Sequence, residues 1–174
     1  SIGRLVYHKG FEYLIEAGKY LKDDIAIVIV GGGPLYEKLK NMIESLKLNE
    51  KVYLIGRVNI NHVASLIKQS DIFCLSSILE SFGLVLVEAL YFGKPLITTA
   101  VEGSGMNYVN KNGITGIVVP PKNPKALAEA INTILSDEEL YEKFSMNALE
   151  RFKEFNISSI GDRIINTYEE VLKY

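Results

Sequence analysis

The run Ile25 to Val30 constrains this chain more than any other segment. Six consecutive apolar residues, four of them Ile or Val at positions 27 to 30, leave no polar side to turn toward water, and the run stops at Gly31-Gly32-Gly33-Pro34. A strand that is apolar on both faces belongs in a parallel sheet covered on both sides. Leu35, Leu39, Met42, Ile43 and Leu46 then recur at helical spacing, with Pro34 suited to a helix start. The unit is strand, glycine turn, helix. It repeats: strand at 51–55, helix at 62–70, strand at 72–76, helix at 82–91, strand at 95–99 and a short strand at 117–119, closed by Pro120-Pro121. Such alternation predicts an α/β fold, a doubly wound parallel sheet with helices on both faces, whose ligands bind outside the carboxyl ends of the strands.

The remaining sequence reads as helix. Residues 124–135 form one, Ser136-Asp137-Glu138-Glu139 is a capping-box pattern opening the next with Leu140 and Phe144, and a last amphipathic helix runs from about Ser158 to Tyr174. Its inward stripe is expected to be Ile160, Ile164, Tyr168, Val171 and Leu172. No linker or repeat divides residues 1–174, so one domain is the simplest partition. With 48% hydrophobic and 23% charged residues in 174, the chain has enough apolar material for a core. Nineteen Lys and Arg against twenty-one Asp and Glu give no bulk attraction to nucleic acid or to an anionic membrane. No apolar stretch approaches the roughly 18 residues of a membrane span, and no signal-peptide pattern opens the chain. The single cysteine, Cys74, lies in an apolar run and reads as a buried thiol in a reducing compartment. The start, Ser1-Ile2-Gly3, lacks Met and reads as the tail of a strand, so a fragment of a longer protein is expected.

Several residues carry chemistry. Gly31-Gly32-Gly33 either brings backbone N–H groups to a phosphate or makes a tight turn with no ligand. It is a poor dinucleotide fingerprint, since the third glycine falls at Tyr36, and no Walker A loop is present. Arg4 and Lys9 flank the first loop, where two cations suit a diphosphate or else a solvated surface. Glu88 sits among Leu84, Val85, Leu86, Val87, Ala89 and Leu90, so its helix is expected to be buried nearly all round. A carboxylate there needs a polyhydroxyl ligand, a structural ion pair or a proton. Glu80 stands eight residues earlier, roughly 12 Å along a helix, too far to share a metal with Glu88. Between them the N–H groups of Ser81, Phe82, Gly83 and Leu84 are expected to form a helix first turn that can hold phosphate. His8 and His62 have no partner at metal spacing.

Taken in order, Gly3-Arg4-Leu5 with Lys9-Gly10, Gly31 to Leu35, Gly56-Arg57-Val58, Glu80-Ser81-Phe82-Gly83-Leu84 with Glu88, Gly93-Lys94-Pro95, and Gly113 to Gly116 before Pro120-Pro121 resemble the C-terminal half of retaining GT-B glycosyltransferases, the glycosyl transferases group 1 family. The resemblance spans nearly the whole chain. It implies a Rossmann-like donor domain that binds a nucleotide-sugar, UDP- or GDP-linked, while a separate N-terminal domain, absent from this chain, supplies a glycan or lipid-linked acceptor. Arg4 and Lys9 would hold the donor diphosphate, Glu80 the sugar hydroxyls with Ser81 to Leu84 alongside, Glu88 the ribose, and Gly33 and the Gly56-Arg57-Val58 loop the nucleoside. Arg4, Lys9 and Glu80 are thus the expected catalytic groups. No metal or other cofactor is implied, no nucleic acid, and no protein nucleophile is assigned. The location implied is cytoplasmic, with the inner face of the cell membrane and peripheral association of the full-length protein left open, in polysaccharide or glycolipid synthesis. A non-catalytic nucleotide-sugar-binding module or scaffold of the same fold is the alternative. The chain departs from the family pattern at Glu102 to Val109, where Asn107 or a neighbour replaces a glutamate and leaves sugar specificity open.

Overall fold

The computed structural model describes residues 1–172. Two runs of parallel strands form the sheet layer. β1 (Ile27–Val30) pairs with β2 (Val52–Gly56), and β3 (Phe73–Leu75), β4 (Leu96–Thr99) and β5 (Gly116–Val119) pair in that order. Ile2 bridges to Val30, also in parallel, so the opening residues continue the ladder on the side of β1 away from β2. The doubly wound parallel class holds, but the hydrogen-bonded ladder is interrupted between β1 and β3.

α1 (Phe11–Ala17) precedes β1; α2 (Tyr36–Ser45), α3 (Ile60–Gln69), α4 (Leu84–Tyr91) and the single turn α5 (Met106–Val109) connect successive strands; α6 (Pro124–Ser136), α7 (Glu138–Phe152) and α8 (Ile157–Val171) follow β5. Local chemistry sets several starts. Asn59 Oδ1 accepts from the His62 N–H, Asn123 Oδ1 from Ala126 ahead of Pro124, and Asp137 Oδ1 from Leu140. The cap of α7 is therefore Asp137 rather than Ser136. Neither α1 nor α5 is evident from the sequence; both are too short for a full amphipathic repeat.

Two apolar clusters fill the layers. Phe11, Leu14, Ile29, Leu39, Ile131 and Phe144 are buried in one; Phe73, Leu86, Leu90, Leu96, Met106 and Val109 are buried in the other. Two expectations fail. The strand at 25–30 is not covered on both faces, since Ala26 and Val28 are exposed. Ile160, Ile164 and Tyr168 of α8, and Leu172 just after it, are exposed rather than inward, because no described element packs over that stripe. The Val171 side chain and Tyr174 lie outside the described residues.

Candidate functional site

The loop after Gly3 is fixed by backbone bonds to the glycine turn. Leu5 N–H donates to Gly32 O at 3.1 Å, and Leu35 N–H donates to Leu5 O at 3.1 Å. A Cβ on Gly33 would stand 2.4 Å from Leu5 O, a distance no side chain tolerates. Close approach of the first loop thus accounts for this glycine directly. Gly31 N–H donates to Gly56 O at 2.8 Å, and the Arg57 side chain lies so near Gly32 that a Cβ there would meet Nε at 2.4 Å. Three separated sequence motifs therefore converge on one end of the sheet. Val58 is half-buried beside them, while Arg4 and Arg57 are exposed, and Arg4 has no ion-pair partner among the described residues.

Lys9 ends a short 3-10 turn, Tyr7–Lys9, and its Nζ forms an ion pair with Glu80 Oε2. Their side chains are 19% and 13% exposed, so the pair is largely shielded from water. Ser77 Oγ donates to Glu80 Oε2 at 3.4 Å, and the Ser81 N–H donates to Oε1 at 3.2 Å. The two loops are sewn together around this pair. Ile78 and Leu79 N–H groups both point to His8 O, at 2.8 and 3.2 Å, and Ser76 Oγ donates to Lys9 O at 3.1 Å. Thr99 Oγ1 donates to Ser77 O, tying the end of β4 to the same loop.

The next helix starts later than the sequence suggests. α4 opens at Leu84 with Gly83 as its N-cap at φ 78°, a left-handed conformation that glycine adopts without strain. Ser81 and Phe82 therefore belong to the loop, and the free first-turn donors begin at Leu84. Gly105 N–H donates to Ser81 O at 2.6 Å, and Phe82 meets Phe155 edge-to-face at 6.2 Å. Glu80 precedes the helix, so the 12 Å helical rise expected between the two glutamates does not apply.

Glu88 is also misplaced by sequence reasoning. It is exposed, in line with Leu84 at 72% and Tyr91 at 56% exposure, while Leu86, Ala89 and Leu90 are buried. One face of α4 is therefore open to solvent, and Glu88 needs no buried partner. It stands at the rim of an apolar hollow of about 330 Å³ between α3, α4 and Phe152. Composition alone misled here: a helix rich in Leu and Val still has an uncovered face when nothing packs on it.

Ser76, Ser77, Thr99 and Gly105 were missed by sequence reasoning. Ser76 and Ser77 directly follow an apolar strand, and hydroxyls at the end of a buried strand require partners; that was the available signal. The divergent segment Glu102 to Val109 folds into a turn leading to α5, with Met106 and Val109 buried and Asn107 exposed. Burial pushes the Cys74 thiol up to about 12, so it is inert as a nucleophile. Among the described residues no three His, Cys, Asp or Glu side chains are grouped to hold a metal ion. No helix among them is long and apolar enough to cross a membrane.

The model of the family described as Glycosyl transferases group 1 matches residues 1–151. The chain belongs to this family. Among its relatives, the Alpha-D-kanosaminyltransferase of Streptomyces kanamyceticus is 32% identical over 174 residues, covering 98% of this chain and 45% of the relative. The D-rhamnosyltransferase WbpZ of Pseudomonas aeruginosa is 34% identical over 155 residues, 88% of this chain and 40% of the relative. The chain thus spans about half the length of the curated relatives it matches. Among solved structures, Anabaena HepE in complex with UDP-glucose superposes with a TM-score of 0.86 at 25% identity, over 97% of this chain and 47% of HepE. This group 1 domain therefore shares its fold with a protein crystallised on a nucleotide-sugar.

Proposed function

We propose that this chain is the donor-binding domain of a retaining glycosyltransferase that transfers a sugar from a nucleotide-sugar to a glycan or lipid-linked acceptor. The observation that carries the reading is the shielded Lys9–Glu80 pair at the carboxyl end of the sheet, with exposed Arg4 on the adjoining loop and exposed Glu88 on the following helix. That end is where doubly wound sheets hold ligands. The relatives named above are sugar transferases, and HepE was solved with UDP-glucose, which supports a nucleotide-sugar as the ligand class.

In this reading Arg4 and Lys9 bind the diphosphate, Glu88 accepts the ribose hydroxyls, and the Gly33, Gly56, Arg57 and Val58 region faces the nucleoside. The donors of Leu84 and its neighbours after Gly83 add a partial positive charge, with the Ser81-Phe82 loop alongside. When the bond from the anomeric carbon to the diphosphate oxygen breaks, negative charge grows on that oxygen, and Lys9 and Arg4 stabilise it. The acceptor oxygen bonds to the anomeric carbon on the face the diphosphate leaves, which retains configuration, and its proton passes to a departing phosphate oxygen. The cationic side chains supply the charge stabilisation, with no metal assigned a role.

The ion pair adds a feature to that scheme. Glu80 is paired with Lys9 in the structure, so a diphosphate binding at Lys9 must compete with a carboxylate, and a carboxylate displaced in this way is free for sugar hydroxyls. Calorimetric titration of the chain with UDP, GDP and ADP tests the proposal. We expect weak but saturable binding of at least one, and no sugar transfer by the 174-residue chain alone. No binding to any of the three by a folded sample counts against a donor site, and robust transfer counts against a required second domain.

A further inference from the structure

Arg151, near the end of α7, is a cation largely shielded from water. Its side chain is 10% exposed, and its guanidinium lies 4.7 Å from the ring centre of Tyr108 and 5.0 Å from that of Phe155. Nη2 donates to Tyr108 O in α5, Nη1 pairs with Glu154, and Nε is buried without a hydrogen-bond partner among the described residues. An apolar side chain would fill this space at a smaller desolvation cost; what the guanidinium supplies is a donor for a carbonyl at the end of α5. That helix is a single turn of four residues, too short to persist on its own hydrogen bonds. Met106 and Val109 anchor it in the core, and Arg151 caps it.

Both partners of Arg151 converge on the loop of the donor site. Gly105, the N-cap of α5, donates its N–H to Ser81 O at 2.6 Å and accepts from the Tyr108 N–H at 3.0 Å. A Cβ on Gly105 would stand 2.6 Å from Phe82 Cδ2 and 3.1 Å from Ser81 O, so the approach leaves no room for a side chain. Phe155 meets Phe82 edge-to-face at 6.2 Å and Tyr108 in the same manner at 5.9 Å. Phe82 is followed at once by Gly83, the cap of α4, and the Ser81 N–H holds the Glu80 carboxylate. We propose that Arg151 is a positioning residue of the donor site: through α5 and Phe155 it holds the Ser81-Phe82 segment, and with it Glu80 and the first turn of α4. This rests on the donor-site reading given above. Gly105 and Tyr108 both fall in the segment where the chain departs from the family pattern, so the brace is built on that departure.

Arg151→Met keeps an unbranched stem and removes the donors. Calorimetry with UDP and UMP, and NMR hydrogen exchange of the Gly105 amide, compare it with the parent chain. The ratio of UDP to UMP affinity is expected to fall about fivefold, because Lys9 and the first turn of α4 are assigned to the diphosphate and lose their preset geometry. The Gly105 amide is expected to exchange about tenfold faster relative to the amides of β4, which report global opening. Phe155→Leu leaves the bond from Arg151 to Tyr108 O in place and is expected to lower the same ratio by about threefold. An arginine with a structural role only would lower the Tm and leave the ratio as in the parent. That result in Arg151→Met, or in Phe155→Leu should the first variant not fold, overturns the inference and leaves the donor reading standing. A lower ratio with unchanged relative exchange at Gly105 in Arg151→Met would assign the effect to lost charge instead of position and overturn it as well. Failure of the parent chain to bind either nucleotide would overturn the donor reading and the inference with it.

Discussion

Glu80 and Glu88 belong to one short stretch of sequence, yet the fold treats them in opposite ways. Glu80 lies in a loop fastened to the Lys9 turn by backbone bonds through His8 O, and its carboxylate has a cation, a hydroxyl and a backbone N–H as partners. Glu88 lies on the open face of α4 with Leu84 and Tyr91, exposed to water. The difference teaches how a site can be prepared in two manners. A charge on a stitched loop is fixed by its partners and has a stability role; a charge on an open helix face faces solvent and has almost none.

Removing Lys9 should have the largest effect on both stability and binding. Lys9→Ala leaves the Glu80 carboxylate shielded and without its cation, and the lysine is also assigned to the diphosphate. We expect a stability loss of about 1–3 kcal/mol, seen in urea unfolding, together with a fall in UDP affinity of about 100-fold by calorimetry. Unchanged affinity in a folded variant would remove Lys9 from the donor site.

Glu88→Ala should separate binding from folding. Stability is expected to stay within about 0.5 kcal/mol of the parent, because the side chain is exposed, while UDP affinity falls by about tenfold with the lost ribose hydrogen bonds. A large loss of stability would show that Glu88 has a structural partner after all.

The smallest expected effect is also the one with an informative sign. Glu80→Gln keeps the shape of the side chain but removes the charge that competes for Lys9. Stability should fall by about 1 kcal/mol and UDP, which lacks the sugar to be transferred, should bind a few-fold more tightly. Weaker UDP binding would place the Glu80 carboxylate on the nucleotide instead of in competition with it.

Much of the architecture was legible because apolar periodicity reports which residues a sheet or helix must bury. The strands containing Ile27–Val30, Phe73–Leu75 and Leu96–Thr99 follow from their apolar runs, whereas the capping-box pattern located the start of α7 only to within one residue, the cap being Asp137 instead of Ser136. The site was legible as a set of residue types, but its contacts were not. The Lys9–Glu80 pair spans 71 positions, and no local rule links the two residues. Glu88 and the α8 stripe of Ile160, Ile164 and Tyr168 failed for a shared reason: periodicity identifies an apolar face but does not supply the element that covers it. Gly33 shows the converse, since the sequence offered a phosphate cradle or a turn and the backbone of Leu5 accounts for the missing side chain.

In the proposed donor site the diphosphate takes Lys9 from Glu80. A crystal structure of the chain with UDP measures this directly. Lys9 Nζ is expected within hydrogen-bond distance of a diphosphate oxygen and the Glu80 carboxylate released from it, with Glu88 on the ribose. UDP bound at the carboxyl end of the sheet with the Lys9–Glu80 pair intact, or bound elsewhere on the chain, would contradict it.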